Sequence, residues 1–268
     1  MKFKSTEEQY EYHLVDEDSK ILAKGYIYES ESSKFYKVPR MNYYIEYEAV
    51  VEDTIEVGKA VVKGLIDVAK IKRKCFDGFD ARVYHCCFAE NLQAIEFYNT
   101  IEGFYEDEGM HILELELRNI HRIDQLDEKY SVVENLLSTE NDIEQLIECH
   151  SRVFRPGLYI IQDIIELKEK DGFKCISVYK KDKLVANLLV YIDEGGIGVL
   201  EDLFVMNNER QNGIGKYLVD YCSHYMLSRN VKRIQLEVWS NNDRAMNLYK
   251  SKGYQFKRIS EVSIGMSI

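Results

Sequence analysis

The sequence predicts an α/β (α+β) fold carried by two tandem domains, residues 1–122 and 123–268. Three observations lead there. Short apolar, β-prone runs alternate with segments whose apolar residues recur every three or four positions, the periods of strand and helix. The order strand, helix, strand, helix occurs twice, and each time it ends in the same pattern. Residues 91–104 read N-x-x-A-x-x-F-Y-x-x-x-x-G-F, and residues 242–254 read N-x-x-A-x-x-L-Y-x-x-x-G-Y. Asn91 and Asn242 stand 151 residues apart, as do Tyr98 and Tyr249. Between the copies, residues 118–129 (R-N-I-H-R-I-D-Q-L-D-E-K) lose all periodicity and read as a linker.

Each element follows from local chemistry. Residues 10–15 and 21–28 suit a hairpin, 42–51 a strand, 57–70 a helix and 83–88 a second strand. In the second half, 130–136 is a strand. Ser138, Thr139 and Asn141 then offer cap oxygens to a helix that buries Ile143, Leu146, Ile147 and Val153, and Pro156 and Gly157 end it. A second amphipathic helix covers 160–170. Residues 175–179 and 184–191 form a hairpin across the polar turn 180–183. Gly195, Gly196 and Gly198 turn the chain into a strand at 200–206, followed by a helix at 217–227 and a strand at 234–238. A last helix carries Asn242, Ala245 and Tyr249 on one face, with Gly253 as its C-terminal cap.

Composition narrows the function. The polar, charged residues 1–18 contain no signal peptide, and no apolar run approaches the roughly twenty residues of a membrane span, so a cytoplasmic protein is expected. The six cysteines, Cys75, Cys86, Cys87, Cys149, Cys175 and Cys222, include no C-x-x-C pair and sit in apolar segments, as buried free thiols would. The six histidines lack ligand spacing, so no metal is expected. A net charge of −11 opposes nonspecific nucleic-acid binding and suits a cationic substrate.

One loop carries the chemistry. Arg210, Gln211, Asn212, Gly213, Ile214, Gly215 and Lys216 spell R-x-x-G-x-G-K between a strand and a helix. Backbone N–H groups at such a helix start, aided by its positive dipole end, form an anion cradle. The loop has neither the G-K-[ST] of a Walker motif nor the third glycine of a dinucleotide fingerprint.

Together with the N-x-x-A-x-x-L-Y-x-x-x-G-Y pattern, this loop resembles the GNAT superfamily of N-acetyltransferases, tightly over 200–254 and more weakly over 130–268. The resemblance implies that each domain is a mixed, mostly antiparallel twisted sheet flanked by helices, and that acetyl-CoA is the cosubstrate. Its pyrophosphate would rest on the N–H groups from Gln211 to Lys216, near the charges of Arg210 and Lys216. Freed backbone groups of Leu203, Phe204 and Val205 would take the pantetheine arm and polarise the thioester carbonyl. Asn242 would bond the cofactor arm or cap its helix, Ala245 shares that face, and Tyr249 would protonate the departing thiolate. One departure is that Asn207 and Asn208 stand where the family usually has a proline, which loosens a turn without removing a chemical group.

Residues 200–206, L-E-D-L-F-V-M, are similar to polyamine N-acetyltransferases, where the glutamate is implicated as base and the aspartate in amine recognition. Strand alternation would put Glu201 and Asp202 on opposite faces, with Glu201 on that of Val205. Glu201 is therefore the favoured base and Asp202 the fallback. In the first half only Gly58 and Lys59 echo Gly215 and Lys216, while Glu56 and Asp53 fall opposite Gly213 and Arg210 and would repel a pyrophosphate. That half reads as a degenerate copy without coenzyme A, left for packing, dimerisation or shaping an acceptor pocket, and a homodimer is one expected assembly. The function expected is acetyl transfer from acetyl-CoA to the primary amine of a small molecule, in a ternary complex, with neither nucleic acid nor membrane as partner. Two alternatives are a non-catalytic coenzyme A sensor or scaffold, and transfer to protein amines.

Overall fold

The computed structural model describes residues 1–32, 38–51, 54–118, 122–123, 125–154 and 157–268. They form two compact units, Met1–Met110 with Trp239–Asn241 and Ile259–Ile268, and His111–Val238 with Asn242–Arg258. Chain order alone suggests a division at 122/123. The contacts instead divide two long strands and return the C-terminal segment to the first unit.

The first unit contains β1 (Lys2–Ser5), β2 (Glu11–Val15), β3 (Ile21–Ser32), β4 (Arg40–Ala49), α1 (Ile55–Arg73), β5 (Asp80–Phe88), α2 (Leu92–Asn99) and the start of β6 (Tyr105–Glu116). The second takes the rest of β6, then β7 (Tyr130–Glu134), α3 (Glu140–Val153), α4 (Ile161–Lys168), β8 (Lys174–Lys180), β9 (Lys183–Ile192), β10 (Gly198–Val205), α5 (Ile214–Ser228), β11 (Arg233–Trp239) and α6 (Asp243–Ser251). The final strand, β12 (Gln255–Ser267), begins in the second unit and ends in the first.

Strand order in the first unit is β1-β2-β3-β4-β5-β12-β6, and in the second β12-β6-β11-β10-β9-β8-β7. Most neighbours are antiparallel. In each unit one parallel pair, β4 with β5 and β10 with β11, is bridged by a helix as a crossover requires. The helix-capping pattern recurs closely. Asn91 (φ −81, ψ 67) and Asn242 (φ −83, ψ 68) cap α2 and α6 by accepting from the N–H groups of Ala94 at 3.2 Å and Ala245 at 3.3 Å. Gly253 (φ 90), directly after the Lys252 cap, closes α6 in the left-handed region, and Gly103 (φ 84) takes the same conformation in the turn after α2.

The second unit packs helices against two clusters. Leu188, Val190, Leu218, Cys222, Ile234 and Leu236 form one with α5. On the other side Ile143, Leu146, Val153, Ile164 and Phe204 join α3 and α4 to β10. Strand alternation sends Phe204 into the second cluster, and Leu203 and Val205 against the first. Thr139 caps α3 in a reciprocal box with Asp142. That helix ends at Val153; Pro156, the expected stop, lies outside the described residues. In the first unit, α1 buries Val61, Val62 and Leu65 against Ile27, Tyr43 and Ile45. No described helix there corresponds to α3 or α4.

The thiols differ from expectation. All six are free, but only Cys175 and Cys222 are buried, and Cys75 is exposed. Cys75 lies beyond the end of α1, where no element covers it. No described helix is long and apolar enough to cross a membrane.

Candidate active site

The glycine loop is built around two left-handed residues. Gln211 (φ 65) and Gly213 (φ 80) swing the chain from a tight turn at Asn207–Glu209 into α5. Glu209 anchors that turn, its carboxylate accepting from the Tyr130 hydroxyl at 2.7 Å and Lys180 Nζ at 2.8 Å. The Asn212 amide donates to the Glu209 and Arg210 carbonyls at 3.1 and 3.3 Å. The first backbone bond of α5 runs from Tyr217 N–H to Gly213 O at 3.0 Å. Among the described residues no acceptor claims the N–H groups of Ile214, Gly215 and Lys216. Ile214 buries its side chain in the core, so only its amide serves the loop. A methyl on Gly213 would meet nothing within 4 Å, and one on Gly215 would press Leu248 Cδ2 at 3.3 Å. An open, amide-lined helix start of this kind fits a pyrophosphate.

Arg210 is half-buried and its Nε donates to Val205 O at 3.2 Å, which pins it along β10. Burial, then the nearby Arg244 guanidinium, lower its pKa. Arg244, in the first turn of α6, escaped the sequence analysis. Neither arginine has a carboxylate within ion-pair distance among the described residues, so both charges remain available to an anion. Lys216 is exposed on the first turn of α5.

Behind the loop the sheet opens. The parallel ladder holds only Gly198 with Ile234 and Val199 with Gln235. Leu200–Val205 of β10 thus has no strand partner on its β11 side, where Leu203, Phe204 and Val205 were expected to free backbone groups. Tyr249 of α6 is 7% exposed. Burial, then the charges of Asp202 and Cys222, raise its phenol pKa. No protein group among the described residues hydrogen-bonds its hydroxyl.

The two acids do not alternate. The β9–β10 register steps from Leu200 opposite Val190 to Asp202 opposite Leu189, which makes Glu201 a bulge residue. Both carboxylates then approach the side of α3 and α4. Glu201 Oε1 accepts from the Tyr159 hydroxyl at 3.0 Å, and Asp202 Oδ1 lies 3.4 Å from His150 Nε2. After burial, Asp202 and Glu201 are the next causes that raise the Tyr159 pKa, so one phenol senses both acids. The expected placement on opposite faces is corrected by this bulge. Burial pushes the Glu201 pKa up, against the lowering effect of the Tyr159 bond. Tyr159 also lines a groove of about 550 Å³ with Glu144, Ile147, Glu148, Ile160, Ile161 and Gln162. His150 and Tyr159 went unrecognised because they lie in a stretch without a motif.

The model of the Acetyltransferase (GNAT) family matches residues 139–254, which span the loop, both acids and Tyr249. This segment is a GNAT domain. Among solved structures, a GCN5-related N-acetyltransferase from Sphaerobacter thermophilus is 14% identical with a TM-score of 0.54, over 97% of this chain and 81% of that one. A conserved protein of unknown function from Enterococcus faecalis is 13% identical with a TM-score of 0.56, over 95% and 61%. A tandem GNAT protein from the clavulanic acid biosynthesis pathway is 10% identical with a TM-score of 0.51, over 96% and 82%. At these identities the similarity concerns the fold, including its tandem form.

Within the first unit itself, the equivalent places are filled by that unit's own residues. Thr54 caps α1, taking Val57 N–H on Oγ1 at 3.2 Å and Gly58 N–H on its carbonyl at 3.0 Å. A methyl on Gly58 would stand 2.6 Å from the Tyr47 hydroxyl and 2.8 Å from the Phe97 ring. His85 Nδ1 bonds Ile45 O at 2.9 Å, and its ring stacks on Tyr98 at 4.1 Å. Glu56 sits in the first turn of α1, and Asp53 lies outside the described residues.

Proposed function

We propose that the GNAT domain transfers an acetyl group from acetyl-CoA to the primary amine of a small molecule, by direct attack within a ternary complex. One observation carries this reading: β10 parts from β11 after Val199, beside an open anion cradle, and there the Asp202 charge, next to Glu201, reaches the buried Tyr249, whose hydroxyl no described protein group claims. The amides of residues 211–216, with Arg210, Arg244 and Lys216, bind the phosphates. Backbone groups of Leu203, Phe204 and Val205 on the unpaired side of β10 orient the thioester end, and Asn242 and Ala245 mark the adjoining end of α6. Acetyl-CoA supplies the activated acyl group.

An alkylammonium with a pKa near 10.4 must lose a proton first, which costs about 4 to 5 kcal/mol at pH 7. Glu201 accepts that proton, since burial raises its basicity and its tyrosine tether holds it in place. Asp202 attracts the cation. Tyr249 donates to the departing sulfur, its raised pKa keeping the hydroxyl protonated at working pH.

Calorimetric titration with acetyl-CoA, followed by a free-thiol assay with putrescine, butylamine and a lysine-containing peptide, tests the reading. One site per chain and thiol release with a small amine are expected. Tight binding with no thiol release from any acceptor would favour a coenzyme A sensor, and release with the peptide alone would shift the acceptor to protein amines. No binding at all would overturn the proposal.

A further inference from the structure

His150 is a buried polar side chain that the transfer chemistry above does not use. It lies on α3, is 4% exposed, and faces Asp202 with Nε2 3.4 Å from Oδ1. A buried imidazole, neutral or charged, satisfies its ring N–H only through a polar neighbour, and Asp202 is placed to be one. The bulge at Glu201 creates the juxtaposition. Without the register step, alternation would send the acids to opposite faces, and α3 with the segment carrying Tyr159 could reach only one. With it, Glu201 accepts from the Tyr159 hydroxyl, Asp202 lies within ion-pair distance of His150 Nε2, and the Tyr159 and His150 rings touch edge to face.

We propose that His150 is a positioning residue whose Nε2–H donates to Asp202 and fixes that carboxylate as the anion that receives the acceptor's cationic group. This rests on the acetyltransferase reading for its substrate, but not for its geometry. An aspartate free to rotate would spread its charge over several rotamers, and a cation would then have to order it on binding. A tethered one is preorganised, so loss of the tether weakens amine binding more than it slows the chemical step. The division of labour follows from the donors. Tyr159 holds the base and His150 holds the recognition anion.

Two substitutions separate this role from packing. His150→Phe keeps an aromatic ring in place and removes the donor, whereas His150→Gln keeps a donor and loses the ring. Long-range nitrogen–proton spectra of the free, full-length protein should show the proton of His150 on Nε2, with a resonance that moves in Asp202→Asn. With putrescine as acceptor, His150→Phe should raise KM roughly ten- to hundredfold, the worth of a hydrogen bond to a charged group. Its kcat should stay within about threefold of wild type, and His150→Gln should recover most of the KM loss. A proton on Nδ1 with no response to Asp202→Asn would overturn the proposal. So would a harmless His150→Phe beside a damaging His150→Gln, the signature of packing alone. If no amine is acetylated, the acetyltransferase reading fails, and the spectra of the free protein still decide whether His150 holds Asp202.

Discussion

The starts of α1 and α5 occupy equivalent places in the two units and have opposite fates. Thr54 consumes the first amides of α1 with its hydroxyl and carbonyl, as a good N-cap does. Gly213 has no side chain to spend, and its φ of 80 presents the amides of α5 outward instead. The neighbouring volume follows the same division. Tyr47 and Phe97 crowd Gly58, while among the described residues nothing lies within 4 Å of a Cβ placed on Gly213. Where β4 and β5 part, His85 fills the opening and bonds Ile45 O, whereas the corresponding side of β10 carries no strand. Anion binding at a helix start thus depends less on the presence of a helix than on the failure of the protein to cap it itself.

The largest expected effect comes from making the second start resemble the first. Gly213→Glu places a Cβ at a left-handed φ, costing about 1 kcal/mol, and sets a carboxylate among the amides that would hold a pyrophosphate. Acetyl-CoA affinity should fall by about a hundredfold or more while the fold persists, as read by calorimetry beside a thermal melt. The wild-type chain should bind one equivalent. Two equivalents would mean that Thr54 and His85 yield to the ligand, and the comparison would collapse.

This contrast was only partly legible in the sequence. The asparagine caps, the closing glycines and the glycine loop depend on single residues with strong local preferences, so their spacing exposed both copies. Thr54 escaped notice because a threonine before a helix is ordinary, and the acidic Glu56 drew the argument instead. The bulge at Glu201 was invisible because period-two alternation assumes an unbroken register, which a single extra residue reverses. His150 and Tyr159 were missed because nothing local to α3 or to residues 155–160 signals what they meet. The return of the C-terminal segment to the first unit, where it pairs with β5, is likewise a matter of long-range pairing, beyond any window of sequence.

The second test uses the paired tyrosines. Tyr249→Phe removes a hydroxyl that no described protein group claims, and should lower turnover by about 10² to 10⁴ with acetyl-CoA affinity nearly unchanged. Tyr98→Phe alters the equivalent residue, stacked under His85 in the plugged unit, and should leave turnover as it was. Equal losses from the two substitutions would show that both act through stability, which thermal melts of each variant would reveal.

The smallest effect tests the assignment of Glu201 itself. Its pKa is raised in the folded state, first by burial. The protonated form is therefore favoured by folding, and that contribution is fully present below the unfolded value near 4.3 and lost as pH rises through the folded one. At neutral pH the charged carboxylate is a burden that the Tyr159 hydroxyl only partly relieves. Glu201→Gln keeps an oxygen for that hydroxyl and discards the charge, so it should stabilise the protein at pH 7 by on the order of 1 kcal/mol, with the gain vanishing below about pH 4. The same substitution should abolish the acid limb of the rate profile, because only the ionised glutamate can accept a proton and wild-type turnover must fall as pH drops through its folded pKa. A variant that is more stable, slower at neutral pH and flat on the acid side is what a buried base predicts. One that is more stable yet fully active would transfer the base role to Asp202.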